Sequence, residues 1–263
     1  MRALRPAALL AVTLSLAACS EQTLTPSQPT GPLIVDLDRQ GFPALGDFQH
    51  YVAIGTSISM GVSSDGVYAP SQQMSFPAQL ARLANREITL PLISFPGCAS
   101  PLAAPLASGL RLSGEGAGVP FLSRQCAPNE EGVVLPTQNV AIDGARTSAA
   151  LDATPENPDP GHATQYPRVL PPGMSQLSAM EAQNPKIVSV ELGGNDILGA
   201  RYGVYPSATE IVPLTQWEPA YRQVAARVDA AARHAVLVGL VNDVRSFPSF
   251  RTGDELWNAR ATT

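Results

Sequence analysis

The sequence has no cluster of basic residues, and charged residues make up only 15% of its 263 positions. Lysine and arginine together number 17 against 22 acidic residues, which gives a formal net charge of -5 at pH 7. A protein that binds nucleic acid through its phosphates needs a basic patch or stripe. We therefore expect no nucleic-acid partner.

The sequence also has no apolar run long enough to cross a bilayer, which takes about 20 residues. The apolar run that follows Arg2 and Arg5 is short and ends in small residues, a pattern that predicts a secretory signal peptide over residues 1–18. An ordinary cysteine after a plain signal peptide is the alternative, but Leu-Ala-Ala before Cys19 favours a bacterial lipobox. We therefore expect Cys19 to carry lipid and to anchor the protein in the cell envelope, with Ser20 favouring the outer membrane.

Cysteine is scarce, with only three in the chain. With Cys19 assigned to lipid, Cys98 and Cys126 are left as a pair. In an exported protein such a pair favours a disulfide over two buried free thiols. The bond would cross-link the segment 94–136, which is rich in glycine, proline and serine and has no sustained periodicity.

Short apolar runs alternate with amphipathic segments along the rest of the chain. The predicted strands are Tyr51–Ile54, Ile88–Ile93, Asn139–Ile142, Ile187–Leu192 and Ala235–Val241. The predicted helices are Ser75–Leu83, Met174–Ala182 and Thr215–His234. Unbroken apolar strands indicate burial on both faces, and alternation with helices indicates parallel βαβ units. The pattern predicts an α/β fold, a three-layer α/β/α sandwich with a five-stranded parallel sheet.

Three of these strands are followed by residues that suit acyl-transfer chemistry. Ser57 follows the first strand, Gly144 the third, and Asn195 the fourth within Gly-Gly-Asn-Asp. Carboxyl ends of parallel strands share one edge, so the three should converge there. A serine can act as nucleophile, and an amide side chain or the N–H of a glycine without Cβ can bind an oxyanion close to the substrate. Taken singly, each also fits an ordinary cap or turn.

This ordered set resembles the SGNH, or GDSL-type, hydrolases over roughly residues 50–245. The family's Gly-Asp-Ser-Leu is Gly-Thr-Ser-Ile here, with Thr56 in place of aspartate, whereas the family's Gly-x-Asn-Asp is matched around Asn195. The resemblance implies a flavodoxin-like sheet and hydrolysis of acyl esters without metal or cofactor. It also implies that Ser57 attacks and that the oxyanion is bound by Ser57 N–H, Gly144 N–H and Asn195.

The family's general base belongs to an Asp-x-x-His block near the C-terminus, and no histidine follows His234 in this sequence. His50 precedes the first strand and His234, an expected exposed helix-end residue, precedes the fifth, so both should lie at the edge opposite Ser57. His162 lies in the long loop Asp152–Gly173, at the same edge as Ser57. We expect it to be a solvent-exposed loop residue, and a role as the base is the less favoured alternative. We therefore expect a truncated family member whose base was lost with its C-terminal part.

The sequence thus predicts a signal peptide over 1–18, a tether and N-terminal extension over 19–48, and an SGNH-type hydrolase domain over 49–263. The first hypothesis is a membrane-anchored, monomeric serine esterase or lipase acting on a small acyl ester, a lipid or an acylated glycan, with the loss of its base expected to leave this truncated chain inactive. The alternative is a non-catalytic envelope lipoprotein that binds a glycan or lipid in the same crevice. In either case Asp196 is expected to be a structural hydrogen-bond acceptor.

Overall fold

The computed structural model describes residues 45–118, 125–199, 211–239 and 258. Contacts divide the chain into two units, Met1–Phe42 and Pro43–Thr263, and all described residues belong to the second. The predicted signal peptide and Cys19 therefore lie outside the described residues. No helix in the described ranges is long and apolar enough to span a membrane.

A three-stranded parallel sheet forms the centre of the mixed α/β fold. Its strands are β1 (Tyr51–Gly55), β2 (Ile187–Glu191) and β3 (His234–Leu237), arranged in the order β1-β2-β3. The register pairs Gly55 with Glu191, so β1 and β2 end side by side. Every residue of β1 and β2 is buried, including the polar Ser189 and Glu191 of β2, as their mainly apolar sequences predict.

Residues 139–142 run parallel to β1 on its other side. Val140 N–H donates to the Ala53 carbonyl (2.9 Å), and Ile142 N–H donates to the Gly55 carbonyl (3.1 Å). The segment thus has the pairing of a strand over a short stretch. Its carboxyl end lies at the same edge of the sheet as the ends of β1 and β2.

The predicted strand Ile88–Ile93 lies beyond residues 139–142 and forms no regular ladder. Thr89 N–H donates to Gln138 Oε1 (3.0 Å), and Gln138 N–H donates to Thr89 Oγ1 (2.9 Å), so side chains replace ladder bonds. Pro91 has no N–H to donate, and proline is confined to sheet edges for this reason. The apolar run was therefore a weaker strand signal than its composition suggested.

Seven α-helices are found in the described ranges. They are α1 (Ser57–Met60), α2 (Ala69–Gln73), α3 (Phe76–Leu83), α4 (Thr147–Asp152), α5 (Tyr166–Val169), α6 (Gln176–Glu181) and α7 (Leu214–Ala231). Short 3-10 helices cover Leu45–His50, Leu106–Ser108 and Pro160–His162. The three predicted helices correspond to α3, α6 and α7. The third ends earlier than predicted, because His234 begins β3.

Apolar side chains cover both faces of β1 and β2, whereas most residues of β3 are exposed, contrary to the burial expected of its apolar run. Alternate residues of β1 and β2 pack on one face with α6 and α7, among them Val52, Val190, Leu177 and Val224. On the opposite face, Ala53 packs with residues that include Ala81 of α3. The sheet is therefore buried between helical layers where these helices cover it.

The predicted disulfide between Cys98 and Cys126 is confirmed, with an S–S distance of 2.00 Å. Cys98 N–H donates to the Val67 carbonyl (2.9 Å), which fixes one half of the bond to the segment after α1. Cys126 Sγ lies 3.4 Å from Thr164 Oγ1, in the loop that contains His162. The disulfide therefore joins two loops near the carboxyl edge of the sheet.

Candidate functional site

The three residues predicted to carry the chemistry lie just beyond neighbouring strand ends. Ser57 follows β1, Gly144 follows residues 139–142, and Asn195 follows β2. Because these three segments are paired side by side and run in the same direction, their carboxyl ends form one edge. Sites of open parallel sheets are built at this edge.

Ser57 is the first residue of α1, and its side chain is partly buried. Thr56 is the N-cap, in an extended conformation that turns the chain out of β1. Gly61 ends the helix with φ 92°, and its N–H donates to the Ser57 carbonyl (3.0 Å). A tight strand-to-helix turn therefore presents Ser57 at the edge of the sheet.

The turn that carries Ser57 is tied to the last residue of β2. The carboxylate of Glu191 accepts hydrogen bonds from Thr56 N–H (3.0 Å) and Thr56 Oγ1 (2.8 Å). It also accepts from Ser59 N–H (3.3 Å) and Ser59 Oγ (3.0 Å). Thr56, which stands where the GDSL-type hydrolases have aspartate, is thus a donor to a neighbouring carboxylate. No role for Glu191 was predicted from the sequence, although a carboxylate in an apolar strand is itself a signal of buried polar partners.

Gly144 has a backbone conformation and surroundings that require glycine. Its φ is 75°, and a Cβ at this position would collide with the imidazole ring of His162. The expectation that the missing Cβ leaves space for substrate is wrong in this structure. The space is occupied by His162, a residue of the loop after α4.

His162 is largely buried beside a carboxylate. Its Nδ1 lies 3.6 Å from Asp143 Oδ2, and its side chain is 21% exposed. The side-chain amide of Gln165 contacts both groups. Its Nε2 donates to Asp143 Oδ2 (3.3 Å) and lies 3.5 Å from His162 Nδ1. Burial lowers the pKa of His162, and the charges of Asp143 and Asp159 oppose this effect. The expectation of a solvent-exposed histidine is therefore wrong.

Asn195 connects the end of β2 to the Gly144 turn. Its Nδ2 donates to the Ala145 carbonyl (3.1 Å). A carboxamide nitrogen carries two N–H groups, so this bond fixes the amide plane and leaves a second N–H for another acceptor. The structure thus brings Asn195 next to the glycine with which it was predicted to act.

Asp196 caps α4 from outside the helix. Its Oδ2 accepts from Thr147 Oγ1 (2.7 Å) and from Thr147 N–H (3.1 Å), at the first turn of the helix. Burial raises the pKa of Asp196, while these hydrogen bonds oppose the rise. Trp217 Nε1 donates to Thr147 Oγ1 (3.1 Å), which adds α7 to the same network. These contacts fit the expected role of Asp196 as a structural acceptor.

The other two histidines lie at the opposite edge of the sheet, as predicted. Lys186, which precedes β2, donates its N–H to the His50 carbonyl (2.9 Å). Asp47 lies 3.3 Å from Lys186 Nζ and 3.9 Å from His234 Nε2. His234 is a strand residue with a side chain 12% exposed, so its expected exposure is wrong. Neither His50 nor His234 contributes to the edge that carries Ser57.

A groove of about 590 Å³ lies beside α1. Its lining includes Ile58, the residue after Ser57, together with Tyr68, Met74 and Leu112. Ile58, Met74 and Leu112 are exposed there. The edge therefore combines a hydroxyl, an imidazole beside a carboxylate and amide N–H donors with an adjacent groove lined by apolar side chains and serines.

The described residues contain no group of three or more histidine, cysteine or acidic side chains that could hold a metal ion. Comparison of the chain with protein-family models, with curated proteins and with solved structures gives no match. The function is therefore inferred from the geometry of this edge.

Proposed function

We propose that the protein is a serine esterase of the SGNH type, attached to the cell envelope through Cys19. The observation that carries the proposal is the grouping of Ser57, the Gly144 turn and Asn195 at one edge of the sheet. The Asn195–Ala145 hydrogen bond joins two of these three directly. A nucleophile and two kinds of oxyanion donor at a shared edge are what acyl transfer requires.

The chain topology supports the choice of this edge. If residues 139–142 are counted as a strand, the chain next crosses to the other side of β1 to form β2. Such a change of direction is the topological switch point where doubly wound sheets bind ligands. Ser57 and Asn195 follow the two strands that flank it. We accordingly propose a flavodoxin-like, three-layer sandwich in which residues 139–142, β1, β2 and β3 follow one another across the sheet. Ile88–Ile93 lies at the outer edge of residues 139–142 without a regular ladder and is not counted as a strand.

In the proposed reaction, Ser57 Oγ attacks the ester carbonyl carbon and forms a tetrahedral intermediate. The oxyanion accepts hydrogen bonds from Ser57 N–H, Gly144 N–H and Asn195 Nδ2. The proton of Ser57 passes through the base to the leaving alcohol, and water then hydrolyses the acyl-enzyme. The chemistry requires no metal or cofactor.

His162 is the histidine at this edge and serves as the base in this proposal. Burial holds its pKa below the ordinary value, so the ring is neutral near pH 7 and can accept a proton. The Asp143 carboxylate, 3.6 Å from Nδ1, favours the positively charged ring that forms when His162 accepts the Ser57 proton. In the described residues no hydrogen bond joins His162 to the Ser57 hydroxyl, and such bonds often form only with substrate bound.

The groove beside α1 supports an ester with an apolar acyl chain as substrate. Ile58 belongs both to the helix that begins with Ser57 and to the groove lining. An acyl chain in the groove would bury apolar surface at about 25 cal/mol per Å². This contribution favours acyl esters of lipids over short acetyl esters.

The proposal is tested by labelling with a fluorophosphonate probe and by hydrolysis of p-nitrophenyl butyrate. We expect wild-type protein to be labelled and active, and Ser57→Ala to lose both properties. Ser108→Ala, at an exposed serine that does not line the groove, is the matched control and should keep both. A folded wild-type protein with neither labelling nor turnover would contradict the proposal and favour the non-catalytic envelope lipoprotein.

A further inference from the structure

Glu191 is a buried carboxylate whose charge is balanced only by hydrogen bonds. It is 2% exposed, and in the described ranges no cationic side chain forms an ion pair with it. An ionised group in such a position is strongly destabilising unless its oxygens are satisfied. Thr56 and Ser59 donate the hydrogen bonds that satisfy these oxygens. The buried carboxylate and the turn therefore stabilise one another.

The two residues that donate to Glu191 flank the proposed nucleophile. Backbone N–H groups are fixed at Thr56 and at Ser59, and Ser57 lies between them. The helix α1 has only four residues, a length that is unstable without tertiary contacts. The orientation of Ser57 therefore depends on contacts made to the turn from outside, and those with Glu191 are charge-assisted.

Gly55 provides independent evidence for the closeness of this contact. A Cβ at Gly55 would collide with the Ser59 side chain and lie 3.0 Å from Glu191 Oε2. The absence of a side chain at the end of β1 thus allows the carboxylate to reach the turn. The carboxylate is enclosed beneath the turn and its oxygens are occupied, so it is not placed to exchange protons with substrate.

We propose that Glu191 is the positioning residue of the site, and that it orients Ser57 by holding the backbone on both sides of it. This inference rests on the proposed function of Ser57. Glu191 touches no reacting atom in the proposal and acts through Thr56 and Ser59. Its substitution should therefore change the reactivity of Ser57 by more than its effect on global stability explains.

Glu191→Gln tests the inference because it preserves the size of the side chain. The variant has one acceptor oxygen instead of two, and its NH2 group would face donors. Ser189→Ala is the matched control, since Ser189 lies on the same strand, is fully buried and loses a buried hydrogen bond to Tyr51 (2.7 Å). Tyr51 lies at the opposite end of the sheet from Ser57.

Two quantities are measured below the melting temperature of all variants: amide hydrogen exchange at Thr56 and Ser59, and the rate of Ser57 phosphonylation. In Glu191→Gln we expect exchange at both amides to be about 10-fold faster or more. We expect phosphonylation to be about 10²-fold slower, since small displacements of a nucleophile have effects of this size. Ser189→Ala should lower the melting temperature and change neither quantity.

Wild-type exchange rates in Glu191→Gln would overturn the inference, as would faster exchange with unchanged phosphonylation. If Glu191→Gln does not fold, Ser59→Ala removes one donor and should give a smaller change of the same sign in both quantities. Unchanged values in Ser59→Ala would then reject the inference. Absence of Ser57 labelling in wild-type protein would overturn the proposed function. The exchange rates at Thr56 and Ser59 do not depend on labelling, so they test the Glu191 contact separately.

Discussion

The imidazole of His162 lies in the space that a Cβ would occupy at Gly144. The contact joins a loop residue to the turn whose N–H is proposed to bind the oxyanion. It also places the ring where Asp143, the residue before Gly144, reaches its Nδ1. One turn of the chain thus orients both the proposed base and a proposed oxyanion donor.

Gly144→Ala is expected to destabilise the fold more than an alanine at a comparable glycine. Gly173 is the comparison, since its φ of 73° is close to that of Gly144. A Cβ at Gly173 would have no described atom within 4 Å, whereas a Cβ at Gly144 would collide with His162. Gly173→Ala should lower the free energy of unfolding by about 1–2 kcal/mol through backbone strain alone. Gly144→Ala should lower it by about 1–3 kcal/mol more through overpacking. Equal losses in urea unfolding would contradict the contact.

His162→Gln is expected to reduce ester hydrolysis and Ser57 labelling by about 10²–10⁴-fold, the range for loss of a general base. His50→Gln, at an exposed histidine on the opposite edge, is the control and should leave both unchanged. Full activity in His162→Gln would show that His162 is not the base.

The same histidine predicts the acid limit of activity. Burial lowers its pKa from the ordinary value of 6.5, against the charges of Asp143 and Asp159. The neutral form is the base, so activity should be full above pH 6.5 and should fall as the pH drops through the lowered pKa. The linked stability has the same sign: the unfolded state binds a proton first, so stability contributed by neutral His162 declines below pH 6.5. A pH–rate profile for kcat/KM with an acid limb above 6.5 would contradict this assignment.

Asn195→Ala is expected to lower turnover by about 10²–10³-fold, because it removes an oxyanion donor. It also removes the bond to Ala145, which should lower the free energy of unfolding by only about 1 kcal/mol. Gln183→Ala is the control, since its amide also donates to backbone carbonyls but lies before β2, at the opposite edge. Similar kcat losses in both variants would indicate a general effect of weakened packing.

The disulfide is expected to contribute about 3–4 kcal/mol to the free energy of unfolding by loop entropy, because its cysteines are 28 positions apart in the sequence. A Cys98→Ala, Cys126→Ala double variant should show this loss in urea unfolding. Thiol titration of denatured, unreduced wild-type protein provides the direct check. Two free thiols from Cys98 and Cys126 would exclude the bond.

Cys19→Ala is expected to release the protein from membranes or to block its processing, because the lipobox pattern assigns the anchor to this cysteine. Fractionation of cells and mass spectrometry of the mature N-terminus measure the two effects. A Ser20→Ala variant, which keeps the cysteine, should stay in the membrane fraction. Unchanged membrane partition with an unmodified Cys19 would reject the anchor.

The sequence by itself determined the strands that lead to Ser57 and Asn195. Both are short, mainly apolar runs that are followed by small or polar residues, a local pattern that needs no knowledge of distant partners. The disulfide was predicted from the number of cysteines together with the expected export of the protein. The opposite-edge position of His50 followed from its place before a strand, because direction along a parallel sheet fixes the edge.

Only the tertiary structure decided which polar groups meet at the edge. Glu191 and Thr56 are 135 residues apart in the chain, and their hydrogen bond depends on the register of β1 against β2. His162 lies in a loop with no periodic signal, so its burial against Gly144 could not be read from composition. Periodicity reports which face of an element is buried, whereas the partner of a buried polar group is set by the pairing of segments distant in the chain.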